Sequence, residues 1–244
     1  GNWNDYIAKD VVEYVDSKYR TLPQRESRGV IGHSMGGYGG MALGLEYPDV
    51  FGCMGSMAGP LDLTQYFGLI SWAFAVASEF KSFYSQRFEV QLAIMVSAAF
   101  CPNPDNPPFY ADFPWIYNES RKVVKNKDAW DRYMEHDILT RLAPNLDSLR
   151  RMKAIYIDSG TSDEYCFFTD AGLVHDELNR LNIPHDYLEF PGGHTCCISN
   201  STANALEVFS KAMAFTPLKQ SKESTTTVYP QGKLASTWAK VKSQ

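Results

Sequence analysis

The sequence predicts an α/β fold, a mostly parallel sheet with flanking helices and a helical insertion, and three observations carry that prediction. Short apolar runs recur along the chain: RGVIG (Arg28 to Gly32), VFGCMGSM (Val50 to Met57), MKAIYID (Met152 to Asp158) and HDYLEF (His185 to Phe190). Longer segments of helical pattern separate them, and such crossovers are right-handed and make the strands parallel and covered on both faces. The 244 residues, 44% hydrophobic and 14% aromatic, hold enough apolar material for one sizeable core.

Each element has its own justification. Asn2 to Tyr19 places Trp3, Tyr6, Ile7, Val11, Val15 and Tyr19 at helical spacing, which predicts a helix with one buried face and Asn2 or Asn4 as its cap. The strand RGVIG leads into a helix from Met35 to about Tyr47, whose small residues let its backbone approach the sheet; Pro48 ends it. After the strand VFGCMGSM the character changes. Leu61 to about Asn145 carries two apolar helical runs, a proline-rich loop (Cys101 to Pro114) and a polar helix around Asp128 to Met134, and reads as an insertion. Alternation resumes with MKAIYID, a helix from Thr169 to Leu181, the strand HDYLEF and a helix from about Thr202 to Phe215. The expected organisation is one domain over 1–218, interrupted by a cap at about 61–145, and a Ser-, Thr- and Lys-rich tail at 219–244.

Charge and cysteine usage narrow the function. A formal net charge of −5 leaves no basic stripe to neutralise phosphates, which argues against nucleic acid as a partner. The most apolar windows, Gly68 to Ala77 and Phe88 to Cys101, fall short of a bilayer span, so no membrane partner is expected. Five cysteines without CxxC spacing argue against zinc and against a full disulfide framework; one bridge, from Cys166 to Cys196 or Cys197, stays open.

The chemistry centres on Gly32-His-Ser-Met-Gly36, a G-x-S-x-G pattern between a strand and a helix. The turn holds Ser34 in a strained conformation, and glycines on either side avoid collision with the strand and helix. The same turn aims the Met35 amide at a developing oxyanion. A serine needs a base, and a base needs an orienting acid. His194, in the glycine-rich loop Pro191-Gly-Gly-His after the last strand, is the best base. Asp158, Asp163 and Glu164 are the available acids; Asp163 is favoured because its loop, led by Gly160, can curl toward the histidine. These roles call for no cofactor or metal. The substrate expected is a small-molecule ester.

The stretches GNWNDYIAKDVVEYVD, GHSMGGYGGMAL, SGTSDEY and FPGGHT resemble the putative-esterase branch of the α/β-hydrolases, which includes esterase D (S-formylglutathione hydrolase), feruloyl and acetyl-xylan esterases and the mycolyltransferase antigens. The resemblance covers about Gly1 to Phe215, and it implies the α/β-hydrolase fold, Ser34, Asp163 and His194 as a catalytic triad, and Met35 as an oxyanion donor. In that fold a second donor follows a strand beside the nucleophile's strand. Upstream of Ser34 there is room for one helix and one strand. The expectation is therefore that N-terminal strands are missing from this chain, with a preceding segment or a second chain completing the sheet. Aromatic residues of the insertion form a candidate lid, with Trp72, Trp115 and the elbow's His33 as candidate substrate-binding residues.

The resulting expectation is a serine carboxylesterase acting on small to medium esters, feruloyl or acetyl esters among them. An S-formylglutathione-type thioesterase or acyltransferase is the alternative within the enzymes. From another class comes a catalytically weak binding or scaffold protein that retains the elbow.

Overall fold

The computed structural model describes residues 2–84 and 86–217; the tail expected at 219–244 lies outside the described residues. The chain opens with α1 (Trp3–Asp5), a π-helical stretch Tyr6–Val11 and α2 (Val12–Lys18), then runs through β1 (Gly29–His33), α3 (Met35–Glu46) and β2 (Cys53–Met57). An insertion follows. It holds α4 (Tyr66–Leu69), α5 (Ser71–Ala77), α6 (Phe88–Phe100), a hairpin of β3 (Trp115–Tyr117) and β4 (Val123–Lys125), and α7 (Lys127–Met134). The chain returns through α8 (Ile138–Arg141) and α9 (Leu146–Arg151) to β5 (Ala154–Gly160), α10 (Phe167–Arg180), β6 (Asp186–Phe190) and α11 (Ile198–Ala212).

The main sheet is parallel throughout, in the order β1-β2-β5-β6. Its central strands β2 and β5 are buried almost end to end, as their unbroken apolar runs require, while the outer strands β1 and β6 are half exposed. One face packs against α3, α8, α9 and α10 through Met41, Leu45, Ile138, Leu149, Val174 and Leu178. The other face packs Cys53, Met57 and Tyr156 against Ala205 and Phe209 of α11. Helix α3 lies close on the sheet because its inward positions are glycine: a Cβ on Gly40 would sit 2.4 Å from the carbonyl oxygen of Gly55.

The insertion has a core of its own, dominated by rings. Phe67, Phe74, Phe113, Trp115 and Tyr133 are buried together there. Buried carboxyl groups tie its base to the sheet. Asp170 Oδ2, on α10, accepts hydrogen bonds from the amides of Leu61 (3.0 Å) and Asp62 (3.1 Å), and Asp137 Oδ1 accepts one from Leu63 (2.7 Å). The Leu139 amide donates to the Leu61 carbonyl at 3.0 Å, so the loop leaving the sheet and helix α8, on the way back to it, are bonded to each other.

Several sequence expectations need correction. The first helix has its expected apolar positions, but Ala8 is its buried residue, packed on Leu43 and Phe51, while Trp3, Tyr6, Ile7, Val11 and Tyr19 are exposed. Among the described residues nothing covers that face. Neither asparagine caps the helix: Asn2 donates to the Asp5 side chain, and Asn4 Nδ2 donates to Glu46 Oε2 at 2.6 Å. The β3–β4 hairpin and the short helices α8 and α9 carry too few residues to show a period, and pattern alone does not find them.

Candidate active site

The strand β1 delivers Ser34 to the start of α3 with φ 58° and ψ −122°, a region that L residues avoid and that costs of order 1–3 kcal/mol. The surrounding backbone holds it there. The Ser34 amide donates to the Met57 carbonyl at 2.8 Å, and the Gly37 amide donates to the Ser34 carbonyl at 2.8 Å. Glycine is needed at position 32, where a Cβ would lie 2.6 Å from the Gly36 carbonyl carbon and oxygen. It is not needed for space at position 36, where a Cβ would meet nothing within 4 Å, so the expectation of a steric need on both sides is half right. The amide of Met35 opens α3 and has no partner within the helix, which leaves it free for a ligand oxygen.

Three side chains from three loops converge. His194 Nε2 lies 2.8 Å from Ser34 Oγ, and His194 Nδ1 lies 2.8 Å from Asp163 Oδ2. The carboxylate accepts only, so Nδ1 carries the hydrogen and Nε2 presents its lone pair to the serine hydroxyl. Asp163 and His194 are 4% and 8% exposed, which shields their bond from water. Asp163 Oδ1 is also occupied, accepting from the Tyr165 amide at 2.8 Å, so the carboxylate cannot rotate without losing a bond. The other acids are engaged elsewhere. Asp158 Oδ2 accepts from the Tyr156 hydroxyl at 2.7 Å, and burial raises its carboxyl above the usual range; Glu164 Oε2 accepts from the main-chain amide of His194.

The rings around the imidazole differ from those proposed by sequence. Tyr165 stands edge-on to His194 at 4.8 Å and Phe167 at 5.5 Å, and Tyr66 reaches from the insertion to within 5.3 Å of Tyr165 and 5.7 Å of Phe167. Trp115, 6% exposed, packs on Phe74, Trp130 and Tyr133 inside the insertion, because a large ring at the start of a three-residue strand is the natural core of so small a layer. Trp72 is half-buried under the Arg87 guanidinium. His33 uses Nε2 to donate to the His194 carbonyl at 2.8 Å, so its ring supports the histidine loop. The missed rings had one available signal, the proximity of Tyr165 and Phe167 to Asp163 in the chain. Cys196 is bonded to its neighbour Cys197, leaving Cys166 exposed and free, so the bridge left open between the two loops is not formed. Among the described residues, no His, Cys, Asp and Glu cluster could hold a metal ion and no helix is long and apolar enough to cross a membrane.

A family model described as "Esterase: Putative esterase" matches residues 1–197. The chain belongs to this family. Esterase Rv1288 and Esterase MT1326, from two strains of Mycobacterium tuberculosis (H37Rv and CDC 1551), are each 32% identical to it over 205 residues, 79% of this chain and 36% of theirs. It therefore spans little more than a third of the length of these curated relatives. Among solved structures, an S-formylglutathione hydrolase from Staphylococcus aureus superposes with a TM-score of 0.53 at 18% identity, over 86% of this chain and 63% of that one. MPT51 of Mycobacterium tuberculosis gives 0.52 at 16% identity, over 87% and 69%. A ferulic acid esterase gives 0.52 at 14%, over 86% and 60%. Identities this low speak for fold, and the fold of this esterase-family chain is that of the α/β-hydrolases.

Proposed function

We propose that this chain carries the nucleophile, base and acid of a serine carboxylesterase that hydrolyses small to medium carboxylic esters through an acyl-enzyme. The observation that supports this most is the continuous relay from Ser34 Oγ through His194 to Asp163, with both links at 2.8 Å. Ser34 attacks the ester carbonyl as His194 Nε2 takes its proton. The imidazolium, held in orientation by Asp163, returns that proton to the leaving alkoxide. Water then enters, gives its proton to His194 and frees the acid. The Met35 amide stabilises the oxyanion of both tetrahedral intermediates; one such donor is worth about 3–4 kcal/mol of barrier.

The second donor comes from a strand pairing with the free edge of β1, supplied by a preceding segment or another chain. Support for this lies in the sheet: among the described residues β1 is bonded to β2 alone, on one side. The acyl group is hydrophobic or aryl, as in a feruloyl ester; support for this is that Tyr165 and Phe167 stand beside the imidazole and Tyr66 packs on both.

Hydrolysis of p-nitrophenyl acetate and butyrate by the full-length protein, with and without Ser34→Ala, tests the reading. Activity falls to the uncatalysed background in the variant, and fluorophosphonate labelling disappears with it. Equal rates in the two proteins would remove the hydrolase assignment. Feruloyl against acetyl esters, compared by kcat/KM, tests the acyl preference.

A further inference from the structure

His194 sits in Pro191-Gly-Gly-His, a stretch whose two glycines give the backbone more freedom than any other sequence would. A base on so pliable a segment would lose its alignment unless something else held the main chain. Main-chain bonds hold the two glycines, from the Ser162 amide to the Gly192 carbonyl (2.9 Å) and from the Cys196 amide to the Gly193 carbonyl (3.1 Å), and two side chains hold His194 itself, one at its amide and one at its carbonyl. Glu164 Oε2 accepts from the His194 amide at 2.9 Å, and His33 Nε2 donates to the His194 carbonyl at 2.8 Å. With Asp163 on Nδ1 and Ser34 on Nε2, all four polar atoms of this residue are hydrogen-bonded.

The two contacts come from elements that already carry the relay. His33 precedes the nucleophile in β1, and Glu164 follows the acid in its loop. The His33 ring also packs against the His194 ring, centroids 4.8 Å apart. The Glu164 carboxylate reaches its amide by crossing Gly193: a Cβ there would lie 3.0 Å from Glu164 Oε2, tight enough to push the carboxylate aside. The donated hydrogen bond holds the Glu164 carboxyl below the usual carboxylate range, so it is ionised and accepting at neutral pH.

We infer that Glu164 and His33 are positioning residues, a main-chain clamp that keeps the imidazole of His194 between Ser34 and Asp163. The inference rests on the hydrolase reading above. A displacement of the base by about 1 Å is enough to cost on the order of 100-fold in rate.

Glu164 is exposed, so its variants test the clamp without emptying the core. In the full-length protein, Glu164→Ala lowers kcat for p-nitrophenyl acetate and the rate of fluorophosphonate labelling by about 10- to 100-fold, with KM little changed. Glu164→Gln restores both, since an amide oxygen accepts the same hydrogen. The downfield proton resonance of the His194 Nδ1–H···Asp163 bond persists in the wild type and Glu164→Gln and is lost in Glu164→Ala. His33→Ala, checked for a cooperative unfolding transition, moves the same readouts in the same direction. Wild-type rates with an unchanged resonance in Glu164→Ala overturn the clamp; absence of Ser34 labelling in the wild type overturns the hydrolase reading instead.

Discussion

The two ends of β1 show opposite treatments of exposed chemistry. At the carboxyl end, around Ser34 and His194, polar atoms meet partners from within the chain, and rings from two segments pack beside them. At the amino end, a groove of about 750 Å³ lies open between α2 and the sheet, lined by Val15, Leu22, Gly29, Phe51 and Phe215. Beside it the first helical segment turns Trp3 and Tyr14, 66% and 58% exposed, outward. The difference separates what this chain organises by itself from what stands uncovered among the described residues. Hydrogen-bonded alignment at the relay needs no outside group. The apolar face of the first helical segment is uncovered among the described residues, and among them β1 is bonded on one side alone.

Four measurements break or sharpen that contrast. The largest effect belongs to the relay. Asp163→Asn replaces an acceptor with a group that stabilises the wrong imidazole tautomer, and kcat falls by about 10³- to 10⁴-fold while the unfolding midpoint moves little. A loss below tenfold would mean that Asp158 or Glu164 takes over and that the alignment is less defined than the distances indicate.

Next come the elbow glycines. Gly32→Ala forces a methyl group against the Gly36 backbone and costs about 1–3 kcal/mol in denaturant unfolding, with loss of activity. Gly36→Ala, in open space on α3, raises stability by up to about 1 kcal/mol. Equal destabilisation by both would show that the turn is not the one described.

A smaller effect depends on pH. Burial pushes the Asp170 carboxyl up to about 8 from an ordinary value near 3.8, so the folded protein keeps a proton that the unfolded chain releases between those values. The folded state binds more protons there. Stability is therefore full below the ordinary carboxylate range and declines as pH rises toward about 8. Asp170→Asn flattens that decline, read as urea midpoints at about pH 5 and about pH 8. The Asp170 Oδ1 atom, buried with no partner, is where such a proton would sit.

The smallest effect is expected at the open face. Trp3→Ser with Ile7→Ser changes the stability of the isolated chain by about 0.5 kcal/mol or less, as exposed positions do. A loss of several kcal/mol in the full-length protein, against little in the isolated chain, would reveal the cover.

The sequence was most legible where one requirement acts alone. Buried parallel strands demand unbroken apolar runs, so β2 and β5 stand out. A strained turn needs a small residue before it, which marks Gly32 and Ser34. A histidine after two glycines at a strand end is conspicuous, and Asp163 could be preferred over Asp158 because the latter's place within β5 constrains its reach. Ring placement was illegible for a different reason. Trp115 and Tyr66 are both aromatic residues of one insertion, and only three-dimensional packing decides which fills its interior and which meets Tyr165 and Phe167 beside the imidazole. Helical spacing in the first segment shows an apolar face without showing what lies against it.

The bonded neck at Leu61, Leu63 and Leu139 has a consequence for how this protein can change. Because departure and return are fastened together and to Asp137 and Asp170, everything beyond them hangs from the sheet like a cartridge on a fixed mount. A differently shaped cartridge grafted at the same junction would leave the relay beneath it in register.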